Sequence, residues 1–317
     1  MQRKAIISTP LNDANRPIML TSLGNSYLLR YERSGDVKDI DSTIRQLFKV
    51  IVSIPHNSAH QQTILKTYGN AFLCHFAWFR ERKDIDYAID QMLEAAASSP
   101  LTRWPDILCD LGTSYLSRFH QFGDKKDLDS AIEQHLEAVI STPLNSAHWS
   151  VVYNSLGSSY QLQFEWFGAM KDIDSAIKQH LKALAAASVP LNSIHRHATL
   201  ENLGISYLCQ FEWFGNIQDL ESAIKHLLEA VASMPLDDPN WPGILKDLGA
   251  SYHLCFEWFG NKEDIDFAIK QKLESAASAP PDSPKRALYI DSLGSSYSSC
   301  FIHSGEVNNI DSSISQH

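Results

Sequence analysis

The chain has 317 residues, of which 44% are hydrophobic and 20% charged, enough apolar material for a folded core and too much for a disordered polymer. Its 27 Lys and Arg face 37 Asp and Glu, a formal net charge of -10, which argues against nucleic acid as a partner because that affinity rests on clustered basic residues displacing counterions. No apolar run reaches the ~20 residues that cross a bilayer, Met1 to Asp13 holds too short an apolar stretch for a secretion signal, and Cys74, Cys109, Cys209, Cys255 and Cys300 form no CxxC pair; a soluble cytoplasmic protein with reduced thiols is expected.

From the N-terminus onward, one unit recurs. An apolar residue and a glycine, followed three residues later by an aromatic ring, appear at Gly24, Gly69, Gly112, Gly157, Gly204, Gly249 and Gly294, at intervals of 45, 43, 45, 47, 45 and 45 residues. Fifteen residues after each glycine stands Asp39, Asp84, Asp127, Asp172, Asp219, Asp264 or Asn309, so all length variation falls in the second half of the unit. Such a period marks stacked supersecondary units, not two globular domains. The expected organisation is a single array over 1–317, with units 11–55, 56–100, 101–143, 144–190, 191–235, 236–280 and an incomplete 281–317, preceded by part of a helix in 1–10.

The first half of the unit carries apolar residues such as Leu108, Leu111, Tyr115 and Phe119, whose spacing is one face of a helix. Rings recur three and seven residues after the glycine in all seven copies. At roughly 200 Å² each, these fourteen side chains would expose about 2,800 Å², far beyond the roughly 300 to 600 Å² patch that a monomer carries, so they belong to the core. A second glycine follows at Gly35, Gly123, Gly168, Gly215, Gly260 and Gly305, a left-handed stop for this helix, with Arg80 in its place in one copy. The second half has its own helical stripe, Leu128, Ile132, Leu136 and Val139. The acidic residue that opens it is expected to cap the free N–H groups, and Pro10, Pro55, Pro100, Pro143, Pro190, Pro235 and Pro280 end it. The unit is a helix hairpin. Its first glycine lies mid-helix, at a cost of about 1 kcal/mol relative to Ala, and seven repetitions of that cost imply close backbone approach between helices.

With Leu108, Leu111-Gly112, Tyr115, Ala131, Ala138 and Pro143 at matching spacings within each half, the unit resembles the tetratricopeptide repeat (TPR) across nearly the whole chain. About seven additional residues between Tyr115 and Ala131 predict a longer first helix than in the 34-residue form. Similar long-period arrays occur in kinesin-light-chain-like repeats and beside CHAT domains, although no CHAT Cys/His module can be identified here. The resemblance implies an all-α, right-handed α-solenoid of about seven hairpins, the first helix of each lining a concave groove. It also implies a non-enzymatic interaction scaffold that binds a protein or peptide.

Helical geometry turns the residues six before, three before, one after, five after and eight after the glycine away from the ring face. The three-before set, Thr21, Lys66, Cys109, Asn154, Glu201, Lys246 and Asp291, varies while the core repeats: it is either a partner-specific surface or a set of unconstrained solvent positions. Eight after the glycine stand Glu32, Glu165, Glu212 and Glu257, flanked by Trp78, Trp166, Trp213 and Trp258, a row suited to a basic or aromatic peptide. The alternative is solvated carboxylates, with indoles covering the first-helix end against the next unit. Trp104, Trp149 and Trp241, with Pro105 and Pro242, mark first-helix entrances.

His56 with His60 and His195 with His197 have no third ligand near them in sequence, and His135, His180 and His317 share a second-helix position with Leu47 and Leu227, which favours packing. No cofactor or metal, nucleophilic constellation or phosphate loop is expected. Against the scaffold stands an enzyme or small-molecule binder whose tightly curled or closed α/α array surrounds a cavity holding Glu165, Glu212 and Trp213. Lys4–Pro10 matches the last half of a second helix and Asp311–His317 its first half. The chain is therefore either a segment of a longer array or one whose split terminal helices pair, head-to-tail between copies or within a ring.

Overall fold

A computed structural model of the chain describes residues 9, 13, 15–53, 60–98, 104–186, 194–281, 283 and 285–304. Among the described residues the elements are thirteen helices: α1 (Arg16–Ser34), α2 (Val37–Ser53), α3 (Gln61–Phe79), α4 (Arg82–Ala97), α5 (Trp104–Phe122), α6 (Lys125–Ser141), α7 (Trp149–Phe167), α8 (Met170–Ala186), α9 (Ile194–Phe214), α10 (Ile217–Ser233), α11 (Trp241–Phe259), α12 (Lys262–Ser278) and α13 (Arg286–Ser304). The fold is all-α, and its helices pair as hairpins. First helices such as α1 and α11 have 19 residues and second helices such as α6 and α12 have 17. No helix of the described residues is long and apolar enough to cross a membrane.

Two compact units divide within α7, at Ser159 and Tyr160. In the first, Tyr27, Leu47 and Ile64 form one cluster, Phe76, Ile85, Met92 and Leu111 another, and Leu108, Ala138 and Val152 a third. Each joins a hairpin to the first helix of the next. In the second unit, Phe164, Ile173 and Leu203 do the same, as do Phe211, Leu227 and Leu248, and then Phe256, Ile265 and Cys300. The seven-after rings Phe76, Phe119, Phe164, Phe211 and Phe256 are buried, whereas Tyr115, Tyr160, Tyr207 and Tyr252 keep an edge in solvent. A phenol buried whole would need a partner for its hydroxyl.

The hairpin turn departs from one expectation. The second helix starts two residues before the acidic position, and its cap is another residue: Asp124 Oδ1 accepts from the Lys126 N–H at 3.0 Å and Asn216 Oδ1 from the Gln218 N–H at 3.3 Å. The acid is the third helical residue; Asp39, Asp84, Asp127 and Asp172 are buried, and Asp219 and Asp264 are partly so. In the first unit it pairs with a side chain of the first helix, with Arg118 Nη2 2.6 Å from Asp127 Oδ1 and His75 Nδ1 2.8 Å from Asp84 Oδ2. In the second unit the corresponding first-helix residues are Gln163, Gln210 and Cys255.

The glycine between the helices is left-handed at φ 68 to 73°, and Arg80 adopts φ 56° in its place. Thr142, Met234 and Ala279 close α6, α10 and α12, each followed by the expected proline; Pro10, Pro55, Pro100 and Pro190 lie outside the described residues. The terminal segments proposed to pair also lie, Thr9 apart, outside the described residues.

Candidate functional site

In the first unit, α1, α3 and α5 bring their outward positions together around a cavity of about 510 Å³. Asn25 and Asn70, each directly after its mid-helix glycine, line it with Thr63 and Asp106, each six before the glycine, and with Lys66, three before. His148, at the entrance to α7, completes the rim, its Nδ1 3.0 Å from Asp106 Oδ1. Lys66 Nζ is 3.1 Å from Asp110 Oδ2, which also accepts from Asn70 Nδ2 at 3.3 Å. Burial lifts the Asp110 carboxyl above its ordinary range, against the opposing pull of Lys66 and Asn70. The ammonium and an amide are thus held in fixed positions. Side-chain amides both donate and accept, the same pair of roles that a peptide backbone offers.

In the second unit the outward face carries acids. Gly243 stands where a side chain would otherwise fill the space between α9 and α13: Glu201 Oε1 and Tyr289 OH each lie 3.8 Å from the position of a Cβ there. Burial, reinforced by Asp247, pushes the Glu201 carboxyl up to about 7, with Lys246 and Lys285 acting the other way. Lys246 Nζ is 2.6 Å from Asp247 Oδ1, and burial still raises the Asp247 carboxyl.

Nearer the hairpin turns, Ser206 Oγ donates to Gln161 Oε1 at 2.8 Å, and Gln161 Nε2 donates to Glu165 Oε1 at 2.9 Å. Cys209 Sγ lies 3.6 Å from the same Glu165 oxygen. Glu212 follows Cys209 by three residues, and its carboxyl is raised by burial and by the charge of Glu165. Glu257 Oε1 is 3.4 Å from His253 Nε2, but burial, aided by Lys272, lowers that imidazole to about 4 and keeps it neutral at pH 7.

The other singled-out residues separate. Thr21 and Cys109 are buried: Cys109 packs with Val152 on the next first helix, because the three-before position lies at the edge of the stripe that the following hairpin covers. Asn154 is half-buried on α7, Asp291 is exposed on α13, and the side chain of Glu32 on α1 lies outside the described residues. Three of the indoles lean on the preceding hairpin: Trp78 Nε1 donates to Tyr31 OH, Trp213 lies on Phe164 and Gly168, and Trp258 on Phe211 and Gly215. His56 and the side chain of His195 lie outside the described residues, while His197 Nε2 is 3.6 Å from Asp238 Oδ2.

Asn25, Asn70, Asp106 and Asp110 were not individually legible. The register of the two asparagines, directly after the glycine on the outward face, was the available signal. Asp110 stands one residue off that register and meets Lys66 only because α3 and α5 pack side by side.

No protein-family model matches the sequence, and comparison with curated proteins gives no match. Solved structures do match. A thermophilic TPR protein of Thermus thermophilus is similar at a TM-score of 0.53 and 16% identity, over 73% of this chain and 98% of that one. The APC/C hetero-tetramer Cut9-Hcn1 gives a TM-score of 0.56 at 16% identity, over 99% of this chain and 48% of that one. This is the fold of a TPR-like helical-repeat protein. A dimer of human IFIT1 with PPP-AAAA is similar to this TPR-like chain at a TM-score of 0.54 and 13% identity, over 95% of this chain and 71% of that one. The TPR-like fold is a scaffold typical of protein–protein interaction; at these identities the likeness speaks to fold alone.

Proposed function

We propose that the chain is a non-enzymatic interaction scaffold whose first helices hold a protein or peptide partner as an extended segment. The observation that carries this reading is the first-unit cavity, which takes its lining from three successive first helices and places Asn25, Asn70 and Lys66 on it. Amides at matching positions of adjacent hairpins present donors and acceptors to a chain running across the helices, and Lys66, steadied by Asp110, supplies a charge for register. Cut9-Hcn1, a hetero-tetramer of related fold, adds support from a different protein.

The test is a panel of unstructured peptides screened against the purified chain, followed by the Asn25→Ala/Asn70→Ala double variant. Selective binders are expected, and their affinity falls about tenfold or more in the variant, the loss of one or two good hydrogen bonds. Helicity and melting temperature remain unchanged. A panel without selective binders, or binders indifferent to both asparagines, would sink the proposal.

A further inference from the structure

The second unit repeats one tetrapeptide at the end of three successive first helices: Glu165-Trp166-Phe167-Gly168, Glu212-Trp213-Phe214-Gly215 and Glu257-Trp258-Phe259-Gly260. The same register in the first unit reads Ala77-Trp78-Phe79-Arg80 and His120-Gln121-Phe122-Gly123, so the combination of carboxylate and indole belongs to the second unit. Trp166, Trp213 and Trp258 are 52%, 57% and 55% exposed, and the three phenylalanines beside them are about half exposed. At roughly 200 Å² per ring, six half-exposed rings leave about 600 Å² of apolar surface, the upper end of what a soluble monomer carries without a use for it.

The carboxylates on this ridge lack a direct counter-ion. Among the described residues, Glu165, Glu212 and Glu257 form no ion pair with Lys or Arg, and the imidazole beside Glu257 is neutral at pH 7. Glu165 and Glu212 are close enough that the charge of the first raises the carboxyl of the second. A cation placed between them would relieve that repulsion.

We infer that this ridge docks arginine side chains of an extended segment, one guanidinium per hairpin. Arginine fits better than lysine because its planar cation stacks on an indole while its N–H fork pairs with a carboxylate. The 3.6 Å approach of Cys209 to Glu165 shows that α7 and α9 touch here. Directly packed helices have axes about 8 to 10 Å apart, and three residues of extended chain span about 10 Å. The matching partner therefore carries arginine at every third position. This inference rests on the scaffold reading for its class of partner but uses a different surface.

A fluorescein-labelled peptide with three arginines at every third position, spaced by Gly and Ser, is titrated against the whole chain by fluorescence polarisation. Binding is expected, and it is weaker by about tenfold for the lysine peptide and for the Glu165→Gln/Glu212→Gln variant. Trp213→Phe, which keeps a ring over Phe164, weakens binding several-fold, while Lys66→Ala/Asn70→Ala in the first unit leaves it unchanged. Thermal melts confirm that each variant is folded. Absence of binding, equal affinity for lysine and arginine, or indifference to the glutamine variant overturns the inference and leaves the first-unit reading standing. Loss in Lys66→Ala/Asn70→Ala alone also overturns it, by assigning the peptide to the first unit.

Discussion

The aliphatic stem of Lys272 lies over Gly249, its Cγ 2.7 Å from the place a Cβ on that glycine would take. The same relationship joins Met92 to Gly69, His135 to Gly112 and Leu227 to Gly204. A second-helix side chain is thus a knob, and the mid-helix glycine is its hole. Where the knob is polar it reaches a serine two residues after the next such glycine: His135 Nδ1 is 2.6 Å from Ser159 Oγ, His180 Nδ1 3.1 Å from Ser206 Oγ, and Lys272 Nζ donates to Ser296 Oγ at 2.7 Å. The shared position of His135 and His180 is a packing position, as its register suggested.

Alanine at two of these glycines should act in opposite directions. A Cβ on Gly112 would collide with the rigid imidazole of His135, whereas one on Gly24 would meet Leu47 at an ordinary 3.4 Å. Overpacking costs about 1 to 3 kcal/mol and helix propensity returns about 1 kcal/mol. Gly112→Ala should therefore destabilise by up to about 2 kcal/mol and Gly24→Ala stabilise by up to about 1 kcal/mol, read from urea midpoints at constant slope.

Lys272 should make stability depend on alkaline pH. Burial, opposed by Glu257, lowers its ammonium from 10.5 to about 8. Between these values the unfolded chain binds the proton and the folded chain does not, so this contribution to stability rises with pH, by at most ~1.4 kcal/mol per unit. Lys272→Met, which places at this position the residue type found at Met92, should stabilise at pH 7 and lose most of that advantage by pH 10. An advantage that is the same at both values would refute the assignment.

Glu201 has the opposite sign. Burial raises its carboxyl from 4.5 to about 7, so over that window the folded chain holds the proton more tightly and stability falls as pH rises. Glu201→Gln should gain on wild type between pH 5 and pH 8 in parallel thermal melts, and side-chain NMR should place the titration near 7.

Arg118 bridges Asp127 on its own hairpin and Asp86 on the preceding one, at 2.6 and 2.8 Å. Because Asp127 is buried, Arg118→Ala should cost about 2 kcal/mol, a value reduced by the partial exposure of the guanidinium. Adding Asp127→Asn should restore part of the loss, since a neutral amide is cheaper to leave buried than a lone charge.

Period, hairpin unit and ring-bearing core were legible in the sequence, because each unit buries one stripe against its neighbours and that demand repeats in the same register every time. The glycine stops and the helix entrances at Trp104, Trp149 and Trp241 were legible for a local reason: backbone sterics and a free first-turn N–H act within a few residues. Tertiary packing alone decided that Asp127 pairs with Arg118 and is no cap, that Thr21 and Cys109 are covered, and that Lys66 meets Asp110. These depend on how closely one hairpin lies on the next. A repeat registers which face is buried, while the distances that join side chains across hairpins arise only when the helices are packed.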